Sequence, residues 1–219
     1  MSKASGNTST GDAPTRPLRI AVLLSGGGTS LENLFSHIDA GLPAEVAVVI
    51  SSKDSAYGLE RARLHDVPAI AIARKGMPDS ERFNDAIHAE LAKYDVDLVA
   101  LLGFLSLFEL RGKYEGRTLN VHPALIPAFC GKGFYGEHVH RAVLEAGVKV
   151  SGATVHFVDE QYDKGPIMLQ EAVPVLEGDT VDRLAGRVMA AERRLVPEAI
   201  RLIAEGRVEI NGQRTAIRR

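Results

Sequence analysis

Along this chain, short unbroken apolar runs alternate with apolar residues at helical spacing, and the first switch comes early. Residues 19–24, RIAVLL, form a branched apolar run, and the glycine-rich stretch SGGGTS follows at once. Beyond it, Leu31, Leu34, Phe35 and Ile38 recur with the spacing of an amphipathic helix. The pattern predicts a strand, a tight turn and a helix.

The same switch repeats through the rest of the chain. Strands alternating with helices are typical of βαβ units, so we predict an α/β fold with a mostly parallel sheet and helices on both faces. The sheet is expected to become mixed after residue 150, where VEINGQRTAI carries the Asn-Gly signal of a hairpin. Further strands are predicted at 44–51, 68–73, 97–103, 118–122, 152–159 and 167–176, and helices at 57–66, 80–94, 138–147 and 180–205.

The domain organisation expected from this pattern is simple. No repeat or linker divides the chain, so residues 18–219 are predicted to form one domain. Residues 1–17 are polar and rich in Ser, Thr and Gly, which predicts a disordered tail. They lack the apolar core of a secretory signal.

Composition excludes several classes of function. The 219 residues are 45% hydrophobic and 25% charged, which is enough for a sizeable core. The formal net charge of -2 gives no reason to expect nucleic-acid or membrane-surface binding. The only cysteine is Cys130, so no intrachain disulfide forms and a cytoplasmic location is expected. No apolar run reaches the roughly 20 residues of a membrane span.

The glycine turn is the first candidate site. It departs from the dinucleotide fingerprint G-x-G-x-x-G, because Leu31 stands where the third glycine belongs, and no Gly-Lys-Ser/Thr follows as in a Walker A loop. What remains is a glycine-lined helix N-terminus with Gly28, Thr29 and Ser30. Backbone N–H groups and the helix dipole suit a single phosphate there. The alternative is a tight turn that binds nothing.

The second candidate is TLNVHP at 118–123. Side chains in a strand alternate faces, so Asn120 and His122 point the same way at the carboxyl end of a predicted parallel strand. Open α/β sheets bind ligands outside those ends. An amide beside an imidazole suits an oxyanion, and neither is an obvious nucleophile, which indicates acyl transfer between two bound substrates. A strand ending in a polar loop, with a structurally bonded histidine, is the alternative.

The other histidines are less informative. His156 is expected to lie in the core or to support the site, and His138 and His140 on a solvated helix face. Together with the lone cysteine they make no metal constellation, so no metal is expected. Cys130 has no histidine–acid arrangement that would mark it as a nucleophile.

Four stretches, in this order, resemble one enzyme family: RIAVLLSGGGTSLENL, LLGFLSLF, LNVHPALIPAF and GATVHFVDEQYDKGPIMLQ. They are similar to the folate-dependent glycinamide ribonucleotide formyltransferases of purine synthesis, over roughly residues 18–210. The resemblance implies a Rossmann-like sheet of seven strands. It also implies transfer of a formyl group from 10-formyltetrahydrofolate, as co-substrate, to the amine of glycinamide ribonucleotide.

The resemblance also assigns roles to residues. Asn120, His122 and Asp163 match the catalytic residues of the family, and Gly28, Thr29 and Ser30 its substrate-phosphate turn. Glu192 matches a glutamate that contacts the nucleotide substrate. The residues that match the folate-binding segments are Leu105, Ser106, Leu107, Phe108, Asp159, Glu160, Gln161 and Tyr162.

Two departures from the family pattern stand out. The loop CGKGFYGEH is longer than in the shortest members. Ser80 occupies the place of an arginine that contacts the folate tail, and Arg82 is out of register.

Alternative functions remain open at this level. A formyltetrahydrofolate hydrolase is related but usually carries an additional N-terminal domain, and a methionyl-tRNA formyltransferase a further C-terminal one. A nicotinamide-binding oxidoreductase or a non-catalytic nucleotide-binding module would belong to different classes. A homodimer also remains open as the assembly.

Overall fold

The chain folds around one sheet. The computed structural model describes residues 16–218, and over this range nine strands form a single sheet in the order β3-β2-β1-β4-β5-β6-β7-β9-β8. The strands are β1 (Leu18–Leu24), β2 (Ala44–Ser51), β3 (Ala69–Ala71), β4 (Leu98–Leu101), β5 (Thr118–His122), β6 (Val150–Phe157), β7 (Ile167–Pro174), β8 (Val208–Asn211) and β9 (Arg214–Ile217).

The sheet is parallel in its first part and mixed in its second, which confirms the predicted architecture. Strands β3, β2, β1, β4 and β5 run parallel to one another. Strand β6 is antiparallel to both β5 and β7. The switch after β5 matters for the site, because an antiparallel neighbour places β6 side chains directly beside those of β5.

The strand count of seven implied by the family resemblance is wrong for this chain. Strands β8 and β9 form the hairpin predicted at Asn211-Gly212, and Gly212 has the positive φ of 60° that such turns favour. The hairpin joins the sheet beside β7, where Arg214 pairs with Ile167 and the Thr215 hydroxyl donates to the Ile167 carbonyl at 2.8 Å.

Helices cover both faces, as predicted. Along β1, Ile20, Val22 and Leu24 join a cluster with α1, α2, α4 and α5. Ala21 and Leu23, which point the other way, pack in a second cluster with α3. The helices are α1 (Thr29–Asp39), α2 (Gly58–Leu64), α3 (Ser80–Leu91), α4 (Glu137–Glu145) and α5 (Val181–Ala204).

The predicted run 97–103 is only partly a strand. Residues Leu98–Leu101 pair in the sheet, and the chain then turns at Gly103, which has φ 74°. The apolar residues beyond that turn leave the sheet, and they line a cavity described below.

The predicted tail lies outside the described residues except for Arg16 and Pro17. Arg16 donates to Asp97 at 2.8 Å and to Asp95 at 3.1 Å, so the chain already contacts the domain before β1 begins. Between residues 16 and 218, no helix combines the length and apolar character needed to cross a membrane.

Candidate active site

A cavity of about 360 Å³ opens at the carboxyl ends of β1, β4 and β5. It brings together nearly all the residues predicted for the site, although they span 165 positions of sequence from Gly28 to Glu192. Glu160 is the exception: it is exposed and does not line the cavity. The predicted residues that line it are Gly28, Thr29, Ser30, Leu105, Ser106, Leu107, Phe108, Asn120, His122, Asp159, Gln161, Tyr162, Asp163 and Glu192.

The glycine turn lines the cavity, and the structure accounts differently for its three glycines. Gly28 has φ 71°, and a Cβ placed on it would lie 2.7 Å from the Cα of Gly58 on α2. Packing against α2 therefore requires glycine at position 28, as expected for a tight turn whether or not it binds a ligand. Gly26 and Gly27 have open space where a side chain would stand. Packing does not require glycine at these two positions, and the space beside the first turn of α1 is open.

The first turn of α1 presents the donors predicted for an anion. N–H groups at the start of a helix have no intrahelical partner. Thr29 and Ser30 begin α1, and both residues line the same cavity. Arg61 of α2 fixes the turn from behind, because its Nε donates to the Gly27 carbonyl at 3.0 Å.

Asn120 and His122 lie on the same face at the end of β5, as alternation requires. Across the antiparallel pair, Asn120 faces His156 and His122 faces Thr154. The His122 ring is buried, and its Nε2 lies 2.8 Å from the carbonyl oxygen of Phe129. A carbonyl only accepts, so Nε2 carries the proton and Nδ1 of the neutral ring is a lone pair.

Asp163 meets both of these residues although its sequence position gives no hint of it. Its Oδ2 lies 3.7 Å from Nδ1 of His122, and its Oδ1 accepts from Nδ2 of Asn120 at 3.3 Å. The backbone N–H of Gly131 also donates to Oδ2, at 2.8 Å. The loop that follows β5 therefore holds the carboxylate from one side while the strand holds it from the other.

Burial and charge act against each other on this pair. Burial lowers the pKa of His122, and the nearby charge of Asp163 raises it only in part. Burial alone would raise the pKa of Asp163, but its contacts with His156, Gly131 and His122 outweigh this and lower it. The charge of Asp163 does raise the pKa of His122, but burial is the larger effect, so the net shift is downward. The resting site holds a neutral imidazole beside a carboxylate.

Glu192 lies on α5, is partly buried and lines the cavity. Burial raises its pKa to about 7, and the charge of Arg193 opposes this only weakly. Within residues 16–218 no group hydrogen-bonds to its side chain. The Asn33 amide donates to the Arg193 carbonyl at 2.9 Å, which ties this part of α5 to α1.

Residues 104–108 give the cavity an apolar part, the apolar slot. Phe104 stacks on Phe83 with ring centres 6.2 Å apart, and Ser25 Oγ accepts from the Leu105 N–H at 2.9 Å. Neither Ser80 nor Arg82 lines the cavity. Across the described part of the chain, the lining contains no lysine or arginine.

Two features of the site do not follow from the sequence patterns described above. His156 contacts both Asn120 and Asp163, but only the antiparallel register of β6 reveals this, and that register cannot be read from residue spacing. The loop at 131–136 supplies a wall of the cavity through Gly131, Gly133, Phe134, Tyr135 and Gly136. The signal for this loop in the sequence is the pair of aromatic residues, Phe134 and Tyr135, that stands between glycines.

The other histidines and the cysteine singled out in the sequence differ in burial. His138 is exposed as expected, but His140 is buried, so its assignment to a solvated face is wrong. Burial raises the pKa of the Cys130 thiol, which donates to the Pro127 carbonyl at 3.2 Å. Within residues 16–218 no three His, Cys, Asp or Glu side chains are grouped so as to hold a metal ion.

Comparison with known proteins agrees with this geometry. The sequence profile of the family described as Formyl transferase matches residues 18–200, which include the glycine turn, β5, Asp163 and Glu192. The chain belongs to the formyl transferase family.

Solved and curated formyl transferases extend the comparison. Glycinamide ribonucleotide transformylase 1 from Symbiobacterium toebii is 47% identical with a TM-score of 0.87, covering 94% of this chain and 96% of that one. Phosphoribosylglycinamide formyltransferase of Haemophilus influenzae is 35% identical over 88% of this chain and 90% of its own length.

A longer relative also matches. The trifunctional purine biosynthetic protein adenosine-3 of Gallus gallus is 40% identical over 91% of this chain, but the match covers only 20% of its length. The chain therefore corresponds to about one fifth of the length of that larger protein.

Proposed function

We propose that this protein transfers a formyl group from 10-formyltetrahydrofolate to the amine of glycinamide ribonucleotide, a step of purine biosynthesis. The observation that carries the proposal is the meeting of Asn120, His122 and Asp163 on one wall of a cavity. Asp163 lies 3.3 Å from the Asn120 amide nitrogen and 3.7 Å from His122. The cavity is lined both by a helix N-terminus suited to an anion and by an apolar slot, which suits a phosphorylated acceptor and a pterin donor.

The ribonucleotide belongs at the glycine turn in this proposal. Its phosphate would accept from the first backbone N–H groups of α1 and from Thr29 and Ser30. Glu192, which has no protein partner within the described residues, would accept from the hydroxyl or amide groups of the nucleotide. This places the glycyl amine towards Asn120 and His122.

The folate belongs in the apolar slot. Residues 105–108 would contact the pterin on one side, and Asp159, Gln161 and Tyr162 on the other. Since the cavity lining carries no cation over residues 16–218, the anionic tail of the folate is expected to project from the mouth of the cavity into solvent.

The chemistry follows from the resting charges. The amine attacks the formyl carbon, a C–N bond forms, and the carbonyl oxygen becomes an oxyanion. Asn120 donates to that oxyanion, and the neutral His122 takes up at Nδ1, the atom that Asp163 faces, the proton that the attacking amine loses. The C–N bond to the folate then breaks, and His122 gives that proton to the folate nitrogen and returns to its neutral form. Holding both substrates in one cavity supplies a large share of the rate.

Assembly, cofactors and location form the remaining part of the proposal. The reaction as written needs no metal, which activity after exhaustive chelation would test. A homodimer and a cytoplasmic location remain predictions. Sedimentation equilibrium and cell fractionation, respectively, would test them.

The decisive experiment separates transfer from hydrolysis. Purified protein is given 10-formyltetrahydrofolate with and without glycinamide ribonucleotide, and release of tetrahydrofolate is followed. Release only when the amine is present is the expected result. Equal release without the amine would instead identify a hydrolase. No folate release, together with binding of a nicotinamide cofactor in a separate titration, would favour an oxidoreductase.

A further inference from the structure

His156 is a buried histidine whose proton position is set by the backbone. It is 2% exposed, and its Nδ1 lies 2.9 Å from the carbonyl oxygen of Phe157. Because that oxygen can only accept, Nδ1 carries a proton. In the neutral ring, Nε2 is then a lone pair, and it faces the amide nitrogen of Asn120 at 3.1 Å.

The Asn120 amide nitrogen has two acceptors on the same side. Nδ2 lies 3.1 Å from His156 Nε2 and 3.3 Å from Asp163 Oδ1, and those two acceptors are 3.6 Å apart. Seen from Nδ2, this triangle separates the acceptors by roughly 70°, whereas the two N–H bonds of a planar amide diverge by about 120°. Because the acceptors lie closer together than the two N–H bonds, a single N–H directed between them can serve both, and this arrangement leaves the other N–H for the cavity that Asn120 lines.

The reverse orientation of the amide is disfavoured by the same two groups. Turning it over would place Oδ1 against the lone pair of His156 and the carboxylate of Asp163. Three acceptors would then face one another in a buried site with no proton between them, which is costly. His156 adds to the effect of Asp163, because its Nε2 also lies within hydrogen-bonding distance of Nδ2, at 3.1 Å.

We infer that His156 is a positioning residue for the transfer reaction: together with Asp163 it holds the Asn120 amide so that one N–H faces the developing oxyanion. The inference rests on the proposed function, since it assumes that Asn120 acts on the formyl oxygen. The Phe157 carbonyl sets the tautomer of His156, and that tautomer helps to set the orientation of the Asn120 amide.

Two substitutions at His156 test the acceptor directly. His156→Phe removes the acceptor at the Nε2 position while filling the space, and His156→Gln restores an acceptor on a side chain of similar reach. We expect His156→Phe to lower kcat about tenfold with little change in either KM, the effect of one misdirected hydrogen bond. His156→Gln should recover most of the loss. Equal losses in both variants would contradict a role for the acceptor.

A matched control separates positioning from packing. Val155 precedes His156 on β6, is equally buried and points into the core on the other side of the sheet. Val155→Ala should lower the unfolding temperature and leave kcat unchanged. If it lowers kcat as much as His156→Phe does, the effect belongs to the stability of β6 and the inference fails.

A double-mutant cycle asks whether His156 acts through Asn120. If it does, His156→Phe adds almost nothing to the loss caused by Asn120→Ala, because the group being positioned is gone. If the fold-losses in kcat of the two single variants instead multiply in the double variant, His156 has an independent role and the inference is overturned.

The tautomer has a readout that needs no activity. Long-range ¹⁵N–¹H spectra of histidine-labelled protein should show His156 protonated at Nδ1 and not at Nε2. A proton on Nε2 would overturn the inference even if transfer is observed. The expected tautomer without formyl transfer would leave the positioning geometry intact and instead count against the proposed function.

Discussion

Oδ2 of Asp163 lies 3.7 Å from Nδ1 of His122, and the two groups attract most strongly when the imidazole carries a proton. Burial nevertheless lowers the pKa of His122, so the ring is neutral in the resting site and its Nδ1 is free to take up a proton. A carboxylate already in place stabilises the charged ring at the moment when an oxyanion forms next to it.

The first prediction concerns this pair. Asp163→Asn removes the charge that opposes burial, so the pKa of His122 should fall further, and its titration should move to lower pH. We expect kcat to fall by about 10²-fold or more, with substrate binding mostly retained. NMR of a histidine-labelled sample measures the titration. An unmoved His122 would show that the two residues are not coupled.

The second prediction concerns the oxyanion donor. Asn120→Ala should lower kcat by about 10²–10³-fold, as for loss of one preorganised donor, with small changes in the KM of both substrates. Steady-state kinetics on protein with an unchanged circular dichroism spectrum would measure it. Turnover at the wild-type rate would remove Asn120 from the mechanism.

The third prediction concerns the phosphate turn. Gly28 is unsuitable for the test, because any side chain there meets Gly58 and forces an L residue into φ 71°. Thr29→Val or Ser30→Ala should instead raise the KM of the ribonucleotide about tenfold, the effect of one hydrogen bond to a charged group, and leave the KM of the folate unchanged.

Ser36 provides the control for that test. Its hydroxyl lies further along α1 and donates to the Glu32 carbonyl at 3.0 Å, away from the cavity. Ser36→Ala should leave both KM values as they are. An equal rise for both substrates in Thr29→Val or Ser30→Ala would point to a damaged fold and not to a lost phosphate contact.

The fourth prediction concerns Glu192 and the stability of the unliganded protein. Its folded pKa of about 7 lies above the ordinary value of 4.5. Its contribution to the free energy of unfolding is therefore fully present below about pH 4.5 and lost as pH rises through about 7. The free energy of unfolding of the wild type should fall by about 2–3 kcal/mol between pH 5 and 8 through this group, and Glu192→Gln should not show this fall. Urea unfolding at several pH values measures it.

Glu198 lies on the same helix and pairs with Arg201 at the surface. Glu198→Gln should keep the pH dependence of the wild type. If Glu192→Gln also keeps it, the carboxyl group of Glu192 is not desolvated in the folded protein.

The sequence predicted the parts of the site that depend on local periodicity. Alternation along β5 was enough to place Asn120 and His122 on one face, and the glycine turn was enough to place Thr29 and Ser30 at the start of a helix. Both belong to strand–helix units whose pattern lies within one stretch of chain. The open end of a parallel sheet then brings such stretches to a common edge.

The parts it missed depend on contacts between distant stretches. The antiparallel register that sets His156 beside Asn120 is a property of β5 and β6 together. The net shift of the His122 pKa depends on how deeply the ring is buried, and residue spacing carries no measure of that. The placement of Asp163 came from family resemblance alone, since a loop residue with φ 55° follows no periodic pattern.

The fate of a labelled formyl group tests the central claim most directly. Protein is mixed with 10-formyltetrahydrofolate carrying ¹³C in the formyl group and with glycinamide ribonucleotide, and ¹³C NMR follows the label. The account predicts that the label passes to an N-formyl amide on the ribonucleotide, one per tetrahydrofolate released. Label recovered as formate while the amine is present and unchanged would contradict it.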